Sequence, residues 1–140
     1  MAEVKMEKYY QAYDKRYQQI HNLKLQWSSD VVTPILQELT VQFGIRKTDK
    51  ILEIGCGEGR DALWLLEQGY DVLATDVSKE AISYCKKKNS KFSHLFFQLD
   101  VCEERLPQTF KFIYSISVIR MLVNQEDRNR FLTFIRDHLD

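Results

Sequence analysis

Glycine, proline and cysteine are all scarce in this chain of 140 residues, at 5, 2 and 3 respectively, and neither sign of charge is in excess. So little glycine and proline excludes a collagen-like repeat and a flexible linker, while 44% hydrophobic against 29% charged residues excludes a disordered chain. Twenty Lys and Arg balance 20 Asp and Glu, so there is no electrostatic case for a nucleic-acid backbone or an anionic membrane as the main partner. Cys56, Cys85 and Cys102 are odd in number, lie far apart and lack any C-x-x-C or histidine spacing. That pattern points to reduced thiols and to neither a disulfide framework nor a zinc site. His21, His94 and His138 share no spacing suited to a metal or a base, and each is expected at the surface or partly packed. Residues 1–8 contain no apolar stretch of a signal sequence, and no apolar run is long enough to span a bilayer. A single cytoplasmic domain without a metal is expected.

What is present changes character near Gly44. Upstream, Met6 to Ile20 reads as helix with Tyr9, Tyr13 and Tyr17 four apart. Val32, Ile35, Leu36, Leu39 and Phe43 mark the apolar face of a second helix, with Pro34 in its first turn and Gly44 at its end. Downstream, short apolar runs alternate with segments of helical period. Strands are expected at Ile51 to Ile54, Val72 to Thr75, Leu95 to Gln98 and Phe112 to Ile116. One helix should run from Arg60 to Gln68 and stop at Gly69. Another should follow Ser78 as N-cap, bury Ala81, Ile82 and Cys85, and set Lys86 to Lys88 at its negative end. A third should follow Asn124, with Phe131, Phe134, Ile135 and Leu139 on one face. Strands alternating with helices imply an α/β fold, a doubly wound and mostly parallel sheet with helices on both faces. Residues 1–43 form a helical lid or packing segment in this reading, and 44–140 the α/β core.

The sharpest local signal is Glu53-Ile54-Gly55-Cys56-Gly57-Glu58-Gly59-Arg60, where three of the 5 glycines alternate between a predicted strand and a predicted helix. Such a loop lets backbone N–H groups approach a ligand, at the strand end where open α/β sheets bind one. A dinucleotide fingerprint would place its third glycine at Arg60, which breaks the G-x-G-x-x-G pattern. Glu53 ahead of the loop and Glu58 within it suit a cationic or amine-bearing ligand better than a pyrophosphate.

These residues resemble the first motif of the class I S-adenosylmethionine-dependent methyltransferases, and further landmarks follow in order. Asp76, 21 residues after Gly55, stands where the family's ribose-binding acid does. Asp100 matches the acid that meets the adenine amine, with the Val101 amide beside it. The resemblance, from about Trp27 to Leu139, implies a Rossmann-like fold, S-adenosyl-L-methionine as cofactor, and Glu53, Gly55, Cys56, Gly57, Gly59, Asp76, Val77, Asp100, Val101 and Ser115 as its site. Carboxylates at strand ends are fit acceptors for a ribose diol and an amine, though each acid is also suited to cap the turn that follows it. Tyr13-Asp14-Lys15-Arg16-Tyr17 resembles an N-terminal stretch of several relatives, which implies that Tyr9, Tyr13 and Tyr17 form a lid over the cofactor, with packing of that helix on the sheet as the alternative.

Departures bear on the methyl acceptor. Many small-molecule members carry Gly and then His-His after strand four, where this chain has Ser117 and then Arg120-Met121. Lys111 replaces a common Asp. No catalytic residue is nominated. The implied reaction is in-line methyl transfer, with a small-molecule acceptor expected from a likeness to compact relatives and from the neutral charge. The alternatives are a non-catalytic or partner-dependent cofactor-binding fragment, and then a dinucleotide-dependent oxidoreductase domain. The family's sheet has seven strands against four here, so an exposed fourth strand is expected to pair in a homodimer or with a partner that completes the sheet.

Overall fold

A computed structural model describes residues 8–140; Met6, expected to open the first helix, lies outside them. The first element among the described residues is a 3-10 helix at Tyr9–Ala12, followed by α1 at Tyr13–Asn22 and α2 at Pro34–Gln42. Strand β1, Lys50–Ile54, then alternates with α3, Arg60–Glu67, β2, Asp71–Asp76, and α4, Lys79–Lys88. Strands β3, Phe96–Gln98, and β4, Phe112–Tyr114, precede α5, Gln125–His138.

Among the described residues the strands form one parallel sheet in the order β3-β2-β1-β4. Crossing from β1 to β2 and β3 on one side and to β4 on the other leaves a crevice above the β1 carboxyl end, the switch point where such sheets bind ligands. Alternation along β1 divides the core. Ile51 packs with Val72, Ala74, Leu65, Ile82 and Phe96 on the face of α3 and α4, while Leu52 and Ile54 pack with Phe110, Phe131 and Phe134 on the face of α5.

The helix caps follow the sequence. Ser78 Oγ accepts from the Ala81 amide and Asn124 Oδ1 from that of Asp127, each closing a first turn, and Gly69 takes φ +90° just after α3. Lys86 to Lys88 are exposed at the end of α4.

Several expectations are corrected. Strands β3 and β4 are three residues each, so Leu95, Ser115 and Ile116 fall outside them. In α2 only Leu36 and Thr40 are buried; Ile35 and Phe43 are exposed and Val32 precedes the helix, because one short helix covers the sheet with a single row of side chains. Leu139 lies beyond α5 and is exposed, its place on the inner face taken by His138 and Asp127. His138 is buried and accepts from the Leu106 amide at 2.9 Å, so it packs as a structural hydrogen-bonding ring. His94 is exposed, as expected.

Candidate cofactor pocket and adjoining cavity

Glycines at 55 and 57 shape the turn after β1. Both adopt left-handed backbone, at φ +82° and +56°. A Cβ at Gly55 would strike the Val118 side chain, and one at Gly57 would come within 2.9 Å of the Tyr17 hydroxyl. The Gly55 and Cys56 amides both donate to the Thr75 carbonyl at 2.8 Å, tying the loop to β2.

Above this turn lies a pocket of about 330 Å³, within the range of small-molecule sites. Eight of the ten predicted site residues line it: Glu53, Gly55, Cys56, Gly57, Asp76, Val77, Asp100 and Val101. Gly59 and Ser115 do not. Gly59 is the N-cap of α3, where a side chain would collide with Cys85 Sγ and crowd Phe96, and Ser115 Oγ is spent donating to the Ile54 carbonyl at 2.8 Å. The glycine at 59 therefore serves packing, and the serine fastens the end of β1.

The acids at the strand ends combine two roles. Asp76 accepts from the Gly57 amide at 2.8 Å and from the Ser78 amide at 2.9 Å, so it both shapes the glycine turn and closes its own. Asp100 accepts from the Cys102 amide at 3.0 Å and, through its other oxygen, from the Tyr10 hydroxyl at 2.8 Å. Burial raises both carboxyls above their ordinary value, more than these hydrogen bonds lower them. Glu53 is the extreme case. Burial, aided by Asp61 and Asp76, pushes it up to about 8, and its Oε1 has no hydrogen-bond partner. Tyr114, its register partner on β4, is half-buried, with its hydroxyl shielded from solvent and likewise unpartnered, so the two are close electrostatic neighbours.

Glu58 departs from expectation. Its carboxylate accepts from the Ser28 amide at 2.6 Å, the Trp27 amide at 3.0 Å and the Ser28 hydroxyl at 2.9 Å, with His21 Nε2 at 2.8 Å. Burial would push its carboxyl up, but these hydrogen bonds outweigh burial and hold it below the ordinary value. Its charge thus fastens the segment after α1 to the loop. His21 itself is packed between Glu58 and Glu80 and stacked on Tyr84 at 4.3 Å, which its sequence neighbourhood does not reveal.

Tyr10, Tyr13, Tyr17 and Trp27 line one side of the pocket. The 3-10 turn accounts for the change from the predicted set of 9, 13 and 17. A tighter turn rotates Tyr10 inward to Asp100 and Tyr9 outward, where its hydroxyl accepts from the Val123 amide at 2.7 Å. The adjacent tyrosines were the one sequence signal for Tyr10. In the same lining, Ser117 has φ +63°, so a serine holds a left-handed turn there.

The donor set fits the implied cofactor. Acceptors at the ends of β1 and β2 and beyond β3 suit a diol, an amine and a cation, and the orphaned oxygen of Glu53 is an acceptor awaiting a donor. No cluster of His, Cys, Asp and Glu able to hold a metal occurs among the described residues. Among them, too, no helix is long and apolar enough to cross a membrane.

A methyltransferase-domain family model matches residues 51–140. A probable S-adenosyl-L-methionine-dependent methyltransferase, TehB of Haemophilus influenzae, is 29% identical over 93 residues, which is 64% of this chain and 32% of that protein. The putative methyltransferase YqeM of Bacillus subtilis is 31% identical over 64 residues, covering 45% of this chain and 26% of its own. Among solved structures, a TehB-like methyltransferase from Corynebacterium glutamicum aligns with TM-score 0.64 at 24% identity, over 91% of this chain and 65% of its own. The glycopeptide N-methyltransferase MtfA complexed with S-adenosylmethionine aligns with TM-score 0.65 at 20% identity, over 76% of this chain and 49% of that one. The match spans 32% and 26% of the length of these two curated relatives.

Proposed function

The chain belongs to the class I S-adenosylmethionine-dependent methyltransferases, with S-adenosyl-L-methionine as cofactor, and on that footing we propose that it holds this cofactor in the acidic pocket and serves methyl transfer to a small molecule. One observation carries the reading. Glu53, Asp76 and Asp100, from three successive strand ends, converge on a single cavity beside a glycine turn.

Asp76 accepts from the ribose hydroxyls with the lone pairs that Gly57 and Ser78 leave free. Asp100 and the Val101 amide meet the adenine edge. Glu53 faces the cationic methionine end, where the ligand satisfies its unpartnered oxygen. The cofactor supplies an electrophilic methyl group on a sulfonium. The protein contributes alignment and exclusion of water, for which Tyr10, Tyr13, Tyr17 and Trp27 act as the lid, residues 1–43 being the lid segment of a 44–140 core. No general base is assigned, and an acceptor that is already a good nucleophile needs none.

The balanced charge favours a small acceptor over a nucleic acid, and three unpaired cysteines favour a cytoplasmic setting. The open edge of β4 supports self-association or a partner that adds strands. Calorimetry with S-adenosylhomocysteine tests the central claim: binding is expected, and Asp76→Ala should weaken it by about 1–3 kcal/mol, the scale for donors left without an acceptor. No heat at millimolar ligand with a folded sample overturns the reading.

A further inference from the structure

A second cavity, of about 560 Å³ and open to solvent, adjoins the first; Tyr13, Arg120 and Met121 belong to the walls of both. Its charge is the opposite. Five acids, Glu53, Glu58, Asp61, Asp76 and Asp100, outnumber Arg60 and the shared Arg120 around the cofactor pocket, whereas no residue lining the second cavity is acidic and two are arginines, Arg16 and Arg120.

Those two differ from the other arginines of the chain. Arg46, Arg60, Arg130 and Arg136 pair with carboxylates, and Arg105 and Arg128 donate to backbone carbonyls. Arg16 and Arg120 have no carboxylate or carbonyl partner among the described residues; Arg16 is placed only by the Trp27 ring, 5.7 Å from its guanidinium. The two guanidinium groups left with neither a carboxylate nor a carbonyl partner among the described residues are thus the two that share one cavity. Planar forks of this kind are matched by carboxylates, often bidentately. The rest of the wall, Tyr9, Ala12, Tyr13, Met121 and Val123, is aromatic and apolar, which suits a carbon body and gives an inorganic oxyanion nothing to bury against.

We propose that this cavity is the acceptor subsite and that it recognises an organic carboxylate with an aromatic or aliphatic body, clamped by Arg16 and Arg120. The assignment rests on the methyltransferase reading. It concerns the group by which the acceptor is held, leaving another atom of the same molecule to face the cofactor through the shared wall. The paired charges also sort the ligands: the acidic pocket repels the anion, and the basic cavity repels the sulfonium.

The test uses the full chain saturated with S-adenosylhomocysteine and titrated with benzoate, phenylacetate and hexanoate, each against its primary amide. At least one carboxylate should bind about tenfold or more tightly than its amide, the scale of a charge-assisted hydrogen bond, and the difference should shrink as sodium chloride is raised. Arg16→Gln and Arg120→Gln should each abolish most of that preference; Arg16, exposed on α1, is replaced without disturbing the core. Amides that bind as well as acids in every pair, or a preference that survives both substitutions, overturn the proposal. Competition by sodium sulfate as effective as that of the organic acids overturns the organic body. Failure to bind S-adenosylhomocysteine at all counts against the methyltransferase reading instead, and is seen before any carboxylate is added.

Discussion

Glu53 is a carboxyl held inside the protein with one oxygen unsatisfied, and its proton should report on the ligand. Because its folded-state value is pushed up to about 8 from an ordinary 4.5, the folded protein keeps a proton between those pH values that the unfolded chain has lost. Stability therefore falls as pH rises through that window, the reverse of a salt-bridged acid. A cation bound beside Glu53 favours its charged form, so binding should release a proton and affinity should climb with pH until about 8, then level. Calorimetry in two buffers of different ionisation heat measures the released proton. Glu53→Gln should remove both the release and the slope. A slope unchanged by that substitution assigns the proton to another group.

At the scale of elements, the N-terminal helix is fastened to the core by polar contacts more than by packing. Helix α1 has no buried residue, yet Asp14 Oδ1 accepts from Ser78 Oγ and from the Glu80 amide, both at 2.8 Å, and so continues the cap of α4. Asp14→Ala leaves the fully buried Ser78 hydroxyl and one helix-terminal amide without that acceptor and should cost about 1–3 kcal/mol in a urea melt. Since the same helix carries Tyr13 and Tyr17, affinity for S-adenosylhomocysteine should fall with it; a stable variant with unchanged affinity would detach the helix from the site. The strength of this attachment could not be read from the sequence, and the reason is physical. Period and punctuation mark β1, β2, α3 and α4 well, because apolar alternation and terminal glycine or serine are local signals. The strand-end acids Asp76 and Asp100 were singled out by the family resemblance, not by a local pattern, since an acid after a strand is equally suited to cap the turn that follows. Asp100 with Tyr10, and Glu58 with Ser28 and His21, join residues distant in the chain, and no local pattern encodes them. Tyrosines four apart mark one face only of an α-helix, so a 3-10 turn at Tyr9–Ala12 was enough to exchange Tyr9 for Tyr10.

At the scale of the whole molecule, the proposed self-association turns on the outer edge of β4. Its inner side pairs with β1, and just before it Phe110 exchanges hydrogen bonds with the 138–140 backbone, donating to the His138 carbonyl and accepting from the Asp140 amide at 2.8 Å each. That contact covers the approach to β4 and leaves 112–114 without an outer strand among the described residues. Ile113 and Tyr114 are half-buried, and no charge, proline or bulge interrupts them, so the edge lacks the usual devices against pairing. Three residues supply few hydrogen bonds, which makes a two-fold contact weak and dependent on concentration. Sedimentation should show the mass rising from 16.7 kDa toward twice that as concentration increases through the micromolar range. Tyr114 is a poor probe of the contact, since its hydroxyl is buried and Glu53 is its register partner, so a lysine there would disturb the pocket. Ile113 is better. The Gly55 amide donates to the Thr75 carbonyl, so positions 51 and 53 of β1 face β2 and 50, 52 and 54 face β4. With Ile51 opposite Phe112 and Glu53 opposite Tyr114, the amides of Phe112 and Tyr114 join the β1 ladder and that of Ile113 points outward, and Ile113→Pro removes an outer donor without breaking that ladder. Loss of the dimer in a folded Ile113→Pro protein places the contact at the strand edge, persistence places it on another surface, and a wild-type mass fixed at 16.7 kDa throughout overturns self-association.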